Sequence, residues 1–232
     1  VTSCQQCVVR NRAICSSLDT SELEVLNKIG RRVPVHRGQT LMWEGDDSLL
    51  VANVIDGVLK LSTSTADGRE QIVGVVYPSD FIGRPFGSTT QHSVTALCDA
   101  QVCLFTRSSF DDFARTHPEL EHKLLQRTLT ELDRARHWML LLGRKSAGER
   151  VATFLLEMAQ RLADASCSGS DLVERFELPL TRQQMADLLG LTIETVSRQL
   201  TRLRQAGIID LPDRRTVVIL DHDAMEAEAG NG

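Results

Sequence analysis

Cys4, Cys7 and Cys15 place three thiols within the first eighteen residues, and Cys98, Cys103 and Cys167 complete the six in the chain. Thiolate sulfur is a soft ligand, so Cys4-x2-Cys7-x7-Cys15 with a fourth thiol from a distant strand would suit an iron–sulfur cluster or zinc. Residue types alone leave three readings open: a cluster, a zinc site, or incidental thiols. Zinc usually brings a second Cys-x2-Cys pair or paired histidines, and neither is present. His36, His92, His117, His122, His137 and His222 show no ligand spacing and read as surface residues. Six cysteines are too few to staple a chain of 232 residues, and a cytoplasmic chain would keep them reduced. Cys98 has the ordinary alternative of a small buried strand hydrophobe. Cys167, in the small polar stretch from Ala163 to Asp171, reads as an incidental thiol on a loop.

A second group suited to chemistry lies between Leu180 and Leu211. Thr181-Arg182-Gln183-Gln184 has the form of a capping box, followed by apolar Met185, Leu188 and Leu189 and ended by Gly190. Thr192 can cap a second helix whose Val196, Leu200 and Leu203 face inward, leaving Glu194, Ser197, Arg198 and Thr201 on the opposite stripe. Two helices joined by a tight glycine turn form a helix-turn-helix, whose second helix enters the major groove. Arg can donate twice to guanine, Glu can accept from a cytosine amino group, and a small side chain can meet a thymine methyl. Glu194, Ser197 and Arg198 are those three types, while Thr181, Arg182, Gln183, Thr192, Arg202 and Arg204 are positioned to hold phosphates. The plainer alternative is that Glu194 and Arg198 form an i, i+4 surface pair. The net charge of −5 gives no global attraction to phosphate, so binding must be local and dependent on dimerisation and salt.

Four segments position these groups. Residues 1–18 form a cysteine-rich arm with Arg10 and Arg12 between its thiols and no regular periodicity, so something must order it. Residues 19–114 read as a β-roll sensor domain. Asp19 and Ser21 precede a brief helical pattern of Leu23, Leu26 and Ile29. Short apolar or alternating runs follow at Thr40 to Trp43, Leu50 to Ile55, Val58 to Ser62, Gln71 to Val76, Ser93 to Ala96 and Ala100 to Phe105, separated by turn residues. Asp67-Gly68 reads as a primed hairpin turn. Residues 115–145 read as a dimerisation helix, because Leu125, Leu129, Leu132, Arg136 and Met139 alternate spacings of four and three, the seam of a two-stranded coiled coil. The alternative is an amphipathic helix packed on its own roll. Arg136 would weaken such a seam, or would need an acidic residue such as the partner's Asp133.

Residues 146–232 read as a winged helix-turn-helix. Ser146-Ala147-Gly148-Glu149 can box the start of a helix through Ala152, Leu155, Leu156 and Ala159. Ile208 to Leu211 and Thr216 to Leu220 make a hairpin wing, with Arg214 and Arg215 at its tip able to reach a DNA backbone, and an acidic tail follows from Asp221. The fold class is therefore α+β: an N-terminal cupin-like jelly roll, a long helix and a C-terminal winged helix-turn-helix. With 42% hydrophobic and 25% charged residues the chain should fold. No apolar run approaches the ~18 residues of a membrane span, and no basic stretch precedes an apolar one at the N-terminus, so cytoplasmic residence is expected. No nucleophile–base pair, phosphate loop or H-E-x-x-H motif points to an enzyme.

A β-roll, a long helix and a winged helix-turn-helix in that order resemble the Crp/Fnr family of bacterial transcription regulators over nearly the whole chain. The most specific parts are Leu180-Thr181-Arg182-Gln183, Gly190-Leu191-Thr192 with Glu194-Thr195-Val196-Ser197-Arg198, the stretch from Trp138 to Lys145, and Cys4, Cys7, Cys15 with Cys103. Together these resemble the FNR subgroup. In the cyclic-AMP branch the loop after the sixth roll strand carries Gly-Glu-Leu and a phosphate-binding Arg, whereas this chain has Phe81-Ile82-Gly83-Arg84-Pro85-Phe86. Ile193 likewise stands where that branch has a base-reading Arg. The resemblance thus implies no cyclic nucleotide, TTGAT half-sites on double-stranded DNA, a homodimer and RNA polymerase as a partner. It also implies a [4Fe–4S] cluster on Cys4, Cys7, Cys15 and Cys103, which oxygen converts to [2Fe–2S] and then removes. Val102-Cys103 with Phe110 matches the family's setting for the fourth ligand, with Cys98 as competitor. Seven residues separate Cys7 from Cys15 where the best known pattern has five; a wider-spaced subgroup resembles this arrangement. The alternative is a cluster-free regulator, with redox thiols or zinc, that binds the same DNA sites.

Overall fold

The computed structural model describes residues 4–165 and 174–230, and the chain divides into two compact units, Val1–Leu132 and Asp133–Gly232. In the first unit the arm makes two short 3-10 turns, Cys4–Gln6 and Ile14–Ser17. Its own apolar residues order it. Val9 and Ala13 are buried against Ile55, while Ile14 and Leu18 are buried with Leu23, Leu26, Phe105 and Phe110. Those contacts are what orders the arm, and because they are set by where the arm touches the roll they leave no repeat in the sequence. Helix α1 (Thr20–Ile29) follows, with Asp19 and Glu22 closing a capping box.

The roll comprises β1 (Gly30–Val35), β2 (Thr40–Met42), β3 (Leu50–Asp56), β4 (Leu59–Ser64), β5 (Glu70–Val76), β6 (Phe81–Gly83), β7 (Ser93–Ala96) and β8 (Ala100–Thr106). They form two antiparallel sheets ordered β1-β8-β3-β6 and β2-β7-β4-β5. Ala52, Val54, Val102 and Leu104 of one sheet pack with Leu59, Val94 and Ala96 of the other, the alternation expected of strands with one face inward. The opposite face of β3 and β8, with Val51, Ile55, Cys103 and Phe105, carries the arm and helices. At the β4–β5 hairpin the Gly68 amide bonds the Thr65 carbonyl at 2.8 Å, and Gly68 has φ +84°. The left-handed glycine therefore follows the two central residues of the turn, correcting the primed-turn expectation, and Asp67 instead accepts from Thr65 and Arg69.

Helix α2 (Arg107–Arg115) follows β8 directly, capped by Thr106, and precedes α3 (Pro118–Arg144), which continues through Gly143. Leu120 and Leu124 of α3 pack on the roll. Leu125, Leu129 and Leu132 are 44–55% exposed, so the roll does not cover them, and Met139 in the second unit is 73% exposed. Arg136 pairs within its own helix with Asp133 at 3.3 Å.

In the second unit α4 (Ala147–Ala165) starts at Ser146, whose amide donates to Glu149 at 2.7 Å. It runs through Ala163–Ala165, where a loop was expected; the rest of that loop, with Cys167, lies outside the described residues. Then come β9 (Arg175–Glu177), α5 (Arg182–Leu189), α6 (Ile193–Gln205), β10 (Ile209–Asp210), β11 (Thr216–Ile219) and α7 (His222–Glu228). The wing hairpin of β10 and β11 gains β9 as a third strand on β11. The expected acidic tail is largely helical, since Asp221 accepts from the Ala224 amide at 2.9 Å and Met225 is buried. Among the described residues no helix is long and apolar enough to cross a membrane.

Candidate cysteine centre and nucleic-acid interface

Cys103 sits on β8, paired across the sheet with Arg32 of β1 and Asn53 of β3, and touches both apolar clusters that dock the arm. The arm brings Cys4, Cys7 and Cys15 to that same face. Cys103 is pushed up to about 12, first by burial and then by the charges that Cys4, Cys7 and Cys15 would carry. Cys15 is pushed up to about 11 by burial and by Cys7 and Cys4, and Cys4 is raised by burial and Cys7. Four thiols thus share one electrostatic neighbourhood. Arg32 opposes the shift at Cys4 and Cys103, and Arg10 opposes it at Cys15. Cys98 is elsewhere: its sulfur lies on the Val58 amide at 3.2 Å, and its thiol is raised by burial and by Asp56 and Asp99. All five described cysteines are free thiols.

Among the described residues no three of His, Cys, Asp or Glu stand close enough together to hold a single metal ion. A tetrahedral zinc ion would draw its sulfurs to about 3.8 Å from one another, given Zn–S bonds of ~2.3 Å. The donor set is all thiol, a soft set that suits a thiolate-held metal group. Sequence reasoning missed two neighbours. Arg32 carried no visible signal, whereas Asn53 is the polar residue in the apolar run Leu50 to Ile55. Asn53 is 3% exposed, and among the described residues its Oδ1 has no hydrogen-bond partner.

In the second unit the turn between α5 and α6 depends on Gly190, whose φ of +62° and ψ of +41° form a left-handed helix end. The Thr181 hydroxyl and Gln184 close a capping box on α5, and Thr192 caps α6 by accepting from the Thr195 amide. Val196, Leu200 and Leu203 are buried, while Glu194, Ser197, Arg198 and Thr201 are exposed. Among the described residues Glu194 and Arg198 form no ion pair. Glu194 turns back to its own amide and the Thr192 hydroxyl, which hold its carboxyl below the usual range. Thr181, Gln183, Thr192 and Arg204 are exposed and Arg182 is half-buried. Arg202 is held by Glu228 of α7 through two bonds of 2.9 and 2.5 Å. The wing tip is fixed by Asp213, pushed down to about 2 by the Arg215 amide and by the Thr216 hydroxyl and amide.

Residues 149–228 match the family described as the Crp-like helix-turn-helix domain, and residues 32–117 that described as the cyclic nucleotide-binding domain. The chain is 43% identical over 228 residues to the transcriptional activator protein FnrL of Cereibacter sphaeroides, covering 98% of this chain and 92% of that protein. It is 42% identical over 206 residues to the nitrogen fixation regulation protein FixK of Bradyrhizobium diazoefficiens, covering 89% and 85%. The solved structure of FixK2 from Bradyrhizobium japonicum superposes with a TM-score of 0.77 at 32% identity, covering 86% of this chain and 96% of that one.

Proposed function

The chain belongs to the Crp/Fnr family of transcription regulators, and from that premise we propose that it is oxygen-responsive, binding TTGAT-type palindromic promoter sites as a homodimer when it carries a [4Fe–4S] cluster. The observation that carries this reading is the convergence of Cys103, from β8, with Cys4, Cys7 and Cys15 of the arm. These four residues would hold the cluster. When bound it supplies a crosslink between arm and roll that oxygen can remove. Arg10 and Arg32 offset the negative charge of the thiolates. Cys15 and Cys103 carry protons at neutral pH, so loading releases protons and weakens as pH falls. The same protonation disfavours reactive redox thiols, because the thiolate is the nucleophile.

The exposed stripe of Leu125, Leu129, Leu132, Arg136 and Met139 is the dimer seam in this reading, which sets two α6 helices one DNA turn apart. Glu194, Ser197 and Arg198 read bases, and Thr181, Arg182, Gln183, Thr192 and Arg204 meet the backbone, where Arg202 joins them only when Glu228 releases it. Double-stranded DNA, a second copy of the chain and RNA polymerase are the partners, in the cytoplasm. The Gly83-Arg84-Pro85-Phe86 segment, where a phosphate-binding element would be required, argues against a cyclic nucleotide. The test is iron and acid-labile sulfide per chain after anaerobic purification, for the parent, Cys103→Ser and Cys98→Ser. About four of each is expected in the parent and Cys98→Ser. Little of either in the parent, with DNA binding indifferent to air, would overturn the sensing reading.

A further inference from the structure

Arg127 lies on the face of α3 opposite the exposed leucines, in helical phase with buried Leu120 and half-buried Leu124. Its guanidinium donates to the backbone carbonyl of Arg12, which stands in the arm between Cys7 and Cys15. It also stands 3.9 Å from the carboxylate of Asp80. Asp80 belongs to the turn before β6, which is tied to the roll. Its Oδ2 accepts from the Tyr77 amide at 3.0 Å, its carbonyl accepts from Val54 at 2.9 Å, and Ser79 donates to the Val54 carbonyl at 2.8 Å. One side chain therefore joins arm, roll and long helix.

The setting makes that junction strong. The Arg127 side chain is 25% exposed and Asp80 10%, so the pair is screened by salt far less than a surface pair. A guanidinium on a carbonyl is a charge-assisted bond, roughly twice as strong as a neutral one. The same arm segment is held by apolar packing of Val9, Ala13 and Ile14 on the roll and by local turns, Ala13 to Val9 at 2.8 Å and Ser16 to Ala13 at 3.0 Å.

The geometry points to Arg127 as the positioning residue through which the state of the arm reaches the dimer helix. With the arm docked, Arg127 has two anchors and fixes the phase of α3, so that Leu125, Leu129 and Leu132 face outward as one stripe. With the arm released it keeps Asp80 alone. The inference rests on the cluster reading only for what releases the arm.

The test uses the full chain with Arg127→Gln and Arg127→Lys, each measured metal-free and after anaerobic reconstitution with iron and sulfide. Amide hydrogen exchange over residues 9–16 reads the arm, and sedimentation reads the dimer. In metal-free Arg127→Gln those amides should exchange about tenfold faster than in the parent, with Arg127→Lys in between. The factor by which loading tightens the parent dimer should fall about tenfold in Arg127→Gln. A purely structural Arg127 would weaken loaded and metal-free dimers by one common factor, and that result overturns the inference. So does parent-like arm exchange in Arg127→Gln. If the parent takes up no iron, the cluster reading fails, while metal-free arm exchange still decides the role of Arg127. Should Arg127→Gln not fold, Asp80→Asn, which keeps every donor of Arg127, should accelerate arm exchange in the same direction, and unchanged exchange there overturns the inference.

Discussion

Glu194, Ser197 and Arg198 stand within about one turn of a single helix, exposed, whereas Cys4, Cys7, Cys15 and Cys103 come from an arm and a distant strand and are partly buried. The helix that presents the first three caps itself through Thr192 and buries Val196, Leu200 and Leu203 beneath them. Each of these three exposed side chains can change without disturbing the buried residues beneath it. The thiols depend on docking: Val9, Ala13, Ile14 and Leu18 pack where the arm meets the roll, and there Cys4, Cys7 and Cys15 all raise Cys103. One region is modular and the other cooperative. If the proposed roles hold, such a regulator alters what it reads residue by residue, while its cysteine centre stands or falls as a unit.

The largest test of that contrast is Cys103→Ser, which should remove essentially all iron and weaken anaerobic DNA binding at least about a hundredfold, or ~2.7 kcal/mol. Cys98→Ser, whose sulfur faces Val58, should leave both at parent level. Iron analysis and a binding titration check the pair, and equal losses would break the distinction between the two cysteines. Next is Ile14→Ala. Ile14 is fully buried, so the truncation should cost about 2–5 kcal/mol in urea unfolding and release the arm. If the cysteine region is cooperative, iron occupancy falls too, although no thiol has been touched. Retained iron would make the arm modular after all.

The two regions also differed in how far they could be read from the sequence. The α5–α6 pair was legible because its caps, its glycine and its apolar spacing are local signals, and the structure has the Thr181 and Thr192 caps and the left-handed Gly190 in place. The strands of the roll were legible from alternation. What stayed hidden was tertiary. Nothing local shows that Arg32 and Asn53 flank Cys103, because register is set by sheet pairing. Helix α2 was overlooked: its run of Arg, Ser and Asp buries only Phe110, Asp111, Phe113 and Ala114. Strand β9 is too short to show a period, and α7 was masked by its acidic composition. Arg127 looks like any other charged residue of α3 until its contacts are seen.

A mid-sized effect sharpens the modular side. Arg198 is exposed and unpaired to Glu194, so Arg198→Ala should cost about 1–3 kcal/mol on the specific site and relax preference at one base pair per half-site. Titrations against a set of single-base variants check this. A uniform loss on every sequence would move Arg198 from base reading to backbone contact. Unfolding stability should be unchanged, since the side chain supports nothing beneath it.

The smallest effect separates two arginines that sequence reasoning placed together on the DNA backbone. Arg204 is exposed, whereas Arg202 is held by both oxygens of Glu228, which raises its affinity for its proton and lowers that of the carboxylate. A phosphate would have to compete with Glu228 for the same guanidinium. Arg204→Ala should therefore make the slope of log K against log salt shallower by about 0.9, the share of one phosphate contact. Arg202→Ala should leave the slope nearly unchanged. Glu228→Gln removes the competing charge, so Arg202 becomes available and the slope should steepen by about 0.9. A series of binding isotherms across salt concentrations reads all three variants. An unchanged slope in Glu228→Gln would remove Arg202 from the interface, leaving it to tie α6 to α7 beneath the reading surface.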